Sequence, residues 1–202
     1  MVTTGWGSAV HTARVAPGDV VVVVGIGGIG INAVQGAKIA GARWIIAVDP
    51  VESKREAAKR IGATHTAVDV FSAYSLVNEM TWGQLADTAI ITVDVARGDL
   101  IAPTMSLVRK GGSVVVTAIA PFSQSEVNLS LFELTLWHKE LRGSLFGGGS
   151  PRADIPLLLK LYQSGQLNLD DLITETYSLD DINKGYADMR AGKNIRGIVA
   201  FD

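Results

Sequence analysis

Between Val20 and Asp49 the chain reads five valines, then Gly25-Ile26-Gly27-Gly28-Ile29-Gly30, then an unbroken helical stretch from Ile31 to Ala40, and after Gly41 a second apolar run, ARWIIAVD. This stretch restricts the possible folds more than any other. Consecutive β-branched residues are stiff at χ1 and favour a strand buried on both faces, as in parallel sheets covered by helices. Gly25, Gly27 and Gly30 follow that strand directly, with the spacing G-x-G-x-x-G. In such a turn the first glycine lets the chain leave the strand sharply, the second admits a diphosphate to the backbone, and the third lets the helix pack closely on the sheet. Gly28 is a further small residue whose N–H should stay open, at a helix start that favours an anion. Asp49 closes the second apolar run, where a carboxylate can accept hydrogen bonds from both hydroxyls of an adenosine ribose. A glycine-rich turn alone can be simply a turn. Here strand, glycines, helix, second strand and terminal acid occur in order, which predicts a dinucleotide site. Asp49 would repel a 2′-phosphate and Pro50 brings no cation to offset it, so NAD is expected in preference to NADP.

The rest of the chain continues the alternation. A short helix is expected over residues 5–15, stopped by Pro17-Gly18, and a charged helix over Glu52–Ile61 with Gly62 as its stop. Further strands are expected at Thr66–Val68, Thr88–Val93, Ser113–Thr117 and Leu141–Phe146, with helices at Tyr74–Met80, Leu100–Val108 and Leu129–Trp137. Strand and helix in turn argue for an α/β fold, a doubly wound parallel Rossmann sheet of six strands in the order 3-2-1-4-5-6. Its ligand should lie at the switch point beyond Val24 and Val93. From Gly147 the rhythm changes: a glycine loop, a helix near residues 153–162, an extended stretch Thr174–Tyr177, a helix begun by Ser178 and Asp181 as a capping pair, and a closing strand Arg196–Phe201. We therefore read residues 1–146 as the nucleotide-binding domain and residues 147–202 as a C-terminal return segment.

Composition narrows the function. The chain has 202 residues, 48% of them apolar and 19% charged, with a net charge of −2, so it has no basic field for nucleic acid. With no cysteine, disulfides and thiolate metal sites are excluded. No secretory leader or membrane span is legible, and a cytoplasmic location is expected. His11, His65 and His138 share no ligand spacing, and Asp170-Asp171 and Asp180-Asp181 read as helix starts, so no metal site is expected. A short-chain dehydrogenase would need a tyrosine four residues before a lysine, and none of the four tyrosines has one.

Taken together, TTGWGSAV at the start, GIGGIG, AVD followed by Lys54, the GGSVVV strand, LRGSLFGG and the closing NIRGIVAF resemble the cofactor-binding half of a zinc-type medium-chain alcohol dehydrogenase. The resemblance covers essentially the whole chain and is strongest to the actinobacterial nicotinoprotein, NDMA-dependent type, which retains its NAD(H). It implies that Gly28 and Ile29 offer N–H groups to the pyrophosphate, that Asp49 and Lys54 hold the adenosine ribose, and that Arg196 reaches a phosphate. Read without it, Lys54 is one more solvated charge in KREAAKR and Arg196 is equally a surface strand residue. Thr4 matches a position beside the nicotinamide, and the main chain around Ala118, Ser144 and Phe146 should hold the carboxamide.

In that family a catalytic zinc held by cysteine and histidine activates the alcohol. The resemblance implies that the zinc-binding N-terminal domain is absent here. The chain would then bind NAD(H) without oxidising an alcohol or reducing an aldehyde by itself, and no catalytic residue is assigned. The alternatives are a stand-alone dinucleotide-binding module and a zinc-free medium-chain reductase. A truncated enzyme should expose apolar surface near Trp6 and residues 174–178, which an evolved module should not. The family also implies a homodimer joined through the Leu141–Leu145 edge strand, because an apolar edge tends to pair.

Overall fold

A computed structural model describes residues 1–201. The chain divides into two compact units, Met1–Ile155 and the remainder from Pro156.

The first unit is built on a parallel sheet with the strand order the alternation predicts, β3-β2-β1-β4-β5-β6. Its strands are β1 (Val20–Val24), β2 (Trp44–Val48), β3 (His65–Ala67), β4 (Ala86–Ile91), β5 (Val108–Val116) and β6 (Glu140–Gly143). All five valines of β1 are buried, as a central strand between two helical layers requires. Register lines up the strand ends. Val24 pairs with Val48 and with Ile91, Val48 with Ala67, Ile91 with Val116, and Val116 with Gly143. One row of residues therefore closes all six strands, and Gly25, Asp49, Thr92, Thr117 and Ser144 each stand one position beyond it. The order reverses between β1 and β4, so the chain leaves these neighbours in opposite directions and opens a crevice above them.

The helices are α1 (Val2–Gly7), α2 (Gly28–Ile39), α3 (Glu52–Ile61), α4 (Val70–Met80), α5 (Ile101–Ser106), α6 (Leu131–Leu136) and α7 (Pro151–Gln163). α3 has the predicted bounds. Glu52 stands in its first turn, Lys59 and Arg60 in its last, and Gly62 at φ 143° ends it. Val22, Val24, Ile46, Ala89, Ile91 and Leu107 belong to one buried cluster on a face of the sheet.

Several expectations need correction. The early helix occupies Val2–Gly7 and continues as a π-helical turn over Ser8–Thr12, instead of spanning residues 5–15. α4 begins at Val70, not Tyr74, because Asp69 caps it: the Asp69 carboxylate accepts from the Ser72 N–H at 2.7 Å, and the Ser72 hydroxyl takes up the Asp69 N–H in return. β6 ends at Gly143, so the apolar Leu145 and Phe146 lie outside the strand expected to carry them. Phe146 at φ 51° and Gly147 at φ 83° turn the chain away. The edge strand is thus the short and charged Glu-Leu-Arg-Gly. Trp6 is 4% exposed, so it offers no bare apolar surface; exposed apolar side chains of this unit include Ile119, Phe122, Leu131, Leu136 and Leu145.

The second unit contains the parallel pair β7 (Ile173–Tyr177) and β8 (Arg196–Val199), with α8 (Ile182–Arg190) between them in sequence. α8 starts after Asp181, not at Ser178. The Ser178 hydroxyl instead donates to the Asp181 carboxylate at 2.8 Å and accepts from its N–H, which makes a turn ahead of the helix. Tyr177 donates to Asp188 at 3.1 Å and accepts from Asn194 at 3.1 Å, tying β7 to the end of α8. Among the described residues no helix is long and apolar enough to cross a membrane.

Candidate nucleotide site

The glycine turn leaves β1 just beyond the row of strand ends, and its glycines have different surroundings. Gly25 takes φ 95°, and a Cβ there would lie 2.8 Å from the Val93 nitrogen. Gly30 sits against the Gly25 carbonyl, which a side chain would strike, so α2 begins in direct contact with the turn. Gly27 differs: a Cβ built on it meets nothing within 4 Å. Its missing side chain is not required by the protein's own packing. Gly28, the first residue of α2, faces the Met1 side chain, and Ile29 follows it. No side chain caps α2, and the N–H groups of Gly28 and Ile29 make no hydrogen bond to another described residue. Open backbone donors and an open surface at Gly27 fit a diphosphate.

Asp49 is buried at the end of β2 and is bound into the turn itself. Its Oδ2 accepts from the Ile26 N–H at 2.8 Å and its Oδ1 from the Val51 N–H at 2.9 Å. The acid expected to meet a ribose is thus also a brace that holds the glycine turn to β2. Each oxygen keeps a lone pair for a further donor. Thr92, one position beyond β4, braces the turn from its other side by donating to the carbonyls of Gly25 at 2.6 Å and Val24 at 3.2 Å. Beyond β4 an open cavity of about 400 Å³ is lined by Val93, Asp94, Val95, Arg97, Asp99 and Leu100. There the Arg97 guanidinium holds the Asp99 carboxyl below its ordinary range through a 2.6 Å hydrogen bond.

The residues matched to the nicotinamide end gather around a hydroxyl cluster. Ser8, one turn after Thr4, donates to the Thr4 carbonyl at 2.6 Å and lies 2.9 Å from the Thr117 hydroxyl. Ser144 lies 2.8 Å from the Thr12 hydroxyl and 3.3 Å from that of Ser8. Thr4, Ala118 and Ser144 are therefore brought together by α1, β5 and β6, and Phe146 follows on the same segment with its side chain exposed. Ser8 and Thr12, four positions apart in the π-helical turn, both reach the Ser144 hydroxyl. Lys54 is half-buried on α3. Arg196 heads β8 in the second unit, in register with Ile173.

Sequence reasoning missed Thr92, the pair Ser8 and Thr12, and Thr117. A signal was present, since Thr92, Thr117 and Ser144 are each a hydroxyl residue placed directly after a strand, following Ile91, Val116 and Gly143. For a metal the residues do not fit: His11 is paired with Asp154 at 3.0 Å, His65 contacts Thr64, and no three His, Cys, Asp or Glu side chains converge among the described residues.

Comparison with known proteins agrees with this geometry. Residues 28–164 match the family described as zinc-binding dehydrogenase. The chain is 50% identical to an NDMA-dependent alcohol dehydrogenase of Amycolatopsis methanolica over 198 residues, which cover 98% of this chain and 53% of that protein. It is 49% identical to alcohol dehydrogenase B of Mycobacterium tuberculosis over 200 residues, 99% of this chain and 53% of that one. The solved structure of benzyl alcohol dehydrogenase from Acinetobacter calcoaceticus superposes with a TM-score of 0.89 at 30% identity, over all of this chain and 54% of the other. The chain spans about half the length of the curated relatives it matches. By its sheet order, its glycine turn and these likenesses, the chain belongs to the zinc-binding dehydrogenase family.

Proposed function

We propose that this chain is the NAD(H)-holding half of an alcohol dehydrogenase of the nicotinoprotein type, working on an alcohol or aldehyde in the complete enzyme. The observation that carries the reading is the contrast within the glycine turn. Gly25 and Gly30 are required by packing, whereas Gly27 opens on free space beside unpaired helix N–H groups and a buried acid. A bound nicotinamide dinucleotide supplies the carbon that takes up or returns a hydride.

What this chain does is hold and orient. Gly27 admits the diphosphate, the N–H groups of Gly28 and Ile29 donate to it, and the start of α2 adds a favourable dipole. Asp49 accepts from the adenosine ribose and is kept in place by Ile26 and Val51. Lys54 and Arg196 are assigned to the ribose and a phosphate by family likeness. The main chain at Ala118, Ser144 and Phe146, with Thr4, orients the carboxamide, and the Ser8 cluster fixes these segments to one another. Activation of the alcohol by zinc is not assigned to any residue described. Pairing of two copies through β6 and a cytosolic location belong to the same proposal.

The test is a thermal melt. Once the chain is freed of any retained nucleotide, NAD should raise the melting temperature with concentration, because it binds the folded state only. NADP should do so less at equal concentration. Absence of any shift with NAD would end this reading.

A further inference from the structure

The cation closest bound to Asp49 is not Lys54, the one that the family resemblance singles out. Arg55, at the end of the first turn of α3, donates from Nη1 to the Asp49 carbonyl at 2.7 Å and to the Pro50 carbonyl at 2.9 Å. A guanidinium has five N–H donors in a planar fork. Those on Nε and Nη2 of Arg55 make no hydrogen bond to another described residue, and the side chain is only half-buried. Its acidic neighbour Glu56 is occupied by Lys59 at 2.8 Å. Asp49 meanwhile directs its two carboxylate oxygens to Ile26 and Val51, so it forms no ion pair with Arg55. An unneutralised acid and a partly unused guanidinium are thus fastened to the same strand end.

We infer that Arg55 is a specificity residue for the ribose 2′ position, attracting a 2′-phosphate against the repulsion of Asp49. The inference rests on the dinucleotide reading. A 2′-phosphate placed where Asp49 meets the ribose is repelled by the carboxylate and attracted by the guanidinium. Discrimination is then the difference of two opposed terms and not the property of the acid alone. The fork geometry of the unused donors suits phosphate, which a lysine would meet only as a point charge. The nicotinamide dinucleotide without that phosphate offers Arg55 only a hydroxyl at the 2′ position, so its affinity should depend little on the side chain.

Calorimetric titration of the purified chain with NAD and with NADP tests this on the wild type, Arg55→Gln, Arg55→Lys, Asp49→Asn and the double variant Asp49→Asn/Arg55→Gln. Asp49→Asn should narrow the preference for NAD. Adding Arg55→Gln should then weaken NADP about tenfold or more while NAD changes by about twofold or less. Arg55→Gln in the wild-type background should widen the preference in the same direction, which keeps the test alive if Asp49→Asn fails to fold, and Arg55→Lys should fall between. If Arg55→Gln weakens both nucleotides equally, Arg55 merely holds the turn and the inference is wrong. Failure of the wild type to bind either nucleotide would instead overturn the dinucleotide reading, and this inference with it.

Discussion

The four glycines of the turn look alike in sequence and are unlike in place. Gly30→Ala should disrupt the fold, since its Cβ would enter the Gly25 carbonyl. Gly27→Val should melt within a few degrees of the wild type, because the space beside Gly27 is free, yet it should lose the shift caused by NAD. A melt of both variants with and without nucleotide separates the packing role from the binding role. Asp49 shows the same doubling of purpose. Its truncation to alanine leaves the buried Ile26 N–H without an acceptor, which costs about 1–3 kcal/mol. Urea denaturation without nucleotide should show that loss, and an unchanged midpoint would mean the Ile26 bond contributes nothing. The position of Asp49 was legible because an acid ends the second apolar run. Its hold on the turn was not, because a contact between residues 26 and 49 depends on β1 and β2 lying side by side.

Helix α1 and helix α2 cross closely at two glycines. Gly5 abuts the Ile29 carbonyl, and a Cβ on Gly36 would meet the Trp6 carbonyl at 2.9 Å and the Ala9 Cβ at 3.0 Å. Gly36→Val should therefore lower stability by about 1–3 kcal/mol through overpacking, and should also loosen the Ser8 cluster carried by the same early helix. Capping offers a second test. The Ser72 N–H and hydroxyl hold the Asp69 carboxyl below the ordinary carboxylate range. A depressed value means that the cap stabilises α4 above that range and loses its effect as pH falls through the lowered value. The melting difference between wild type and Asp69→Ala should be present at neutral pH and close in strongly acid solution. Element boundaries were legible where local chemistry ends a helix, as Gly62 does for α3. They were misread where composition suggested strand but backbone geometry decided otherwise, as at Leu145 and Phe146.

Over the whole molecule, the feature that organises the site is the common row of strand ends from Ala67 to Gly143. β6 closes one side of that sheet with a single neighbour, β5. Light scattering at tens of micromolar should give twice the chain mass, and a mass of one chain would count against pairing through β6. The amino-acid order alone determined the alternation of strand and helix, the glycine turn and the position of the acid, since each follows from periodicity and residue chemistry over a few consecutive positions. The strand order was expected because that alternation matches a doubly wound sheet. Only the tertiary structure decided which glycine faces open space, that Asp49 and Thr92 grip the turn from opposite strands, and that hydroxyls more than a hundred residues apart in sequence meet at Ser8. The physical reason is that hydrophobic periodicity is a property of neighbours along the chain, whereas a site is made by side chains that become neighbours only when the sheet has closed its register.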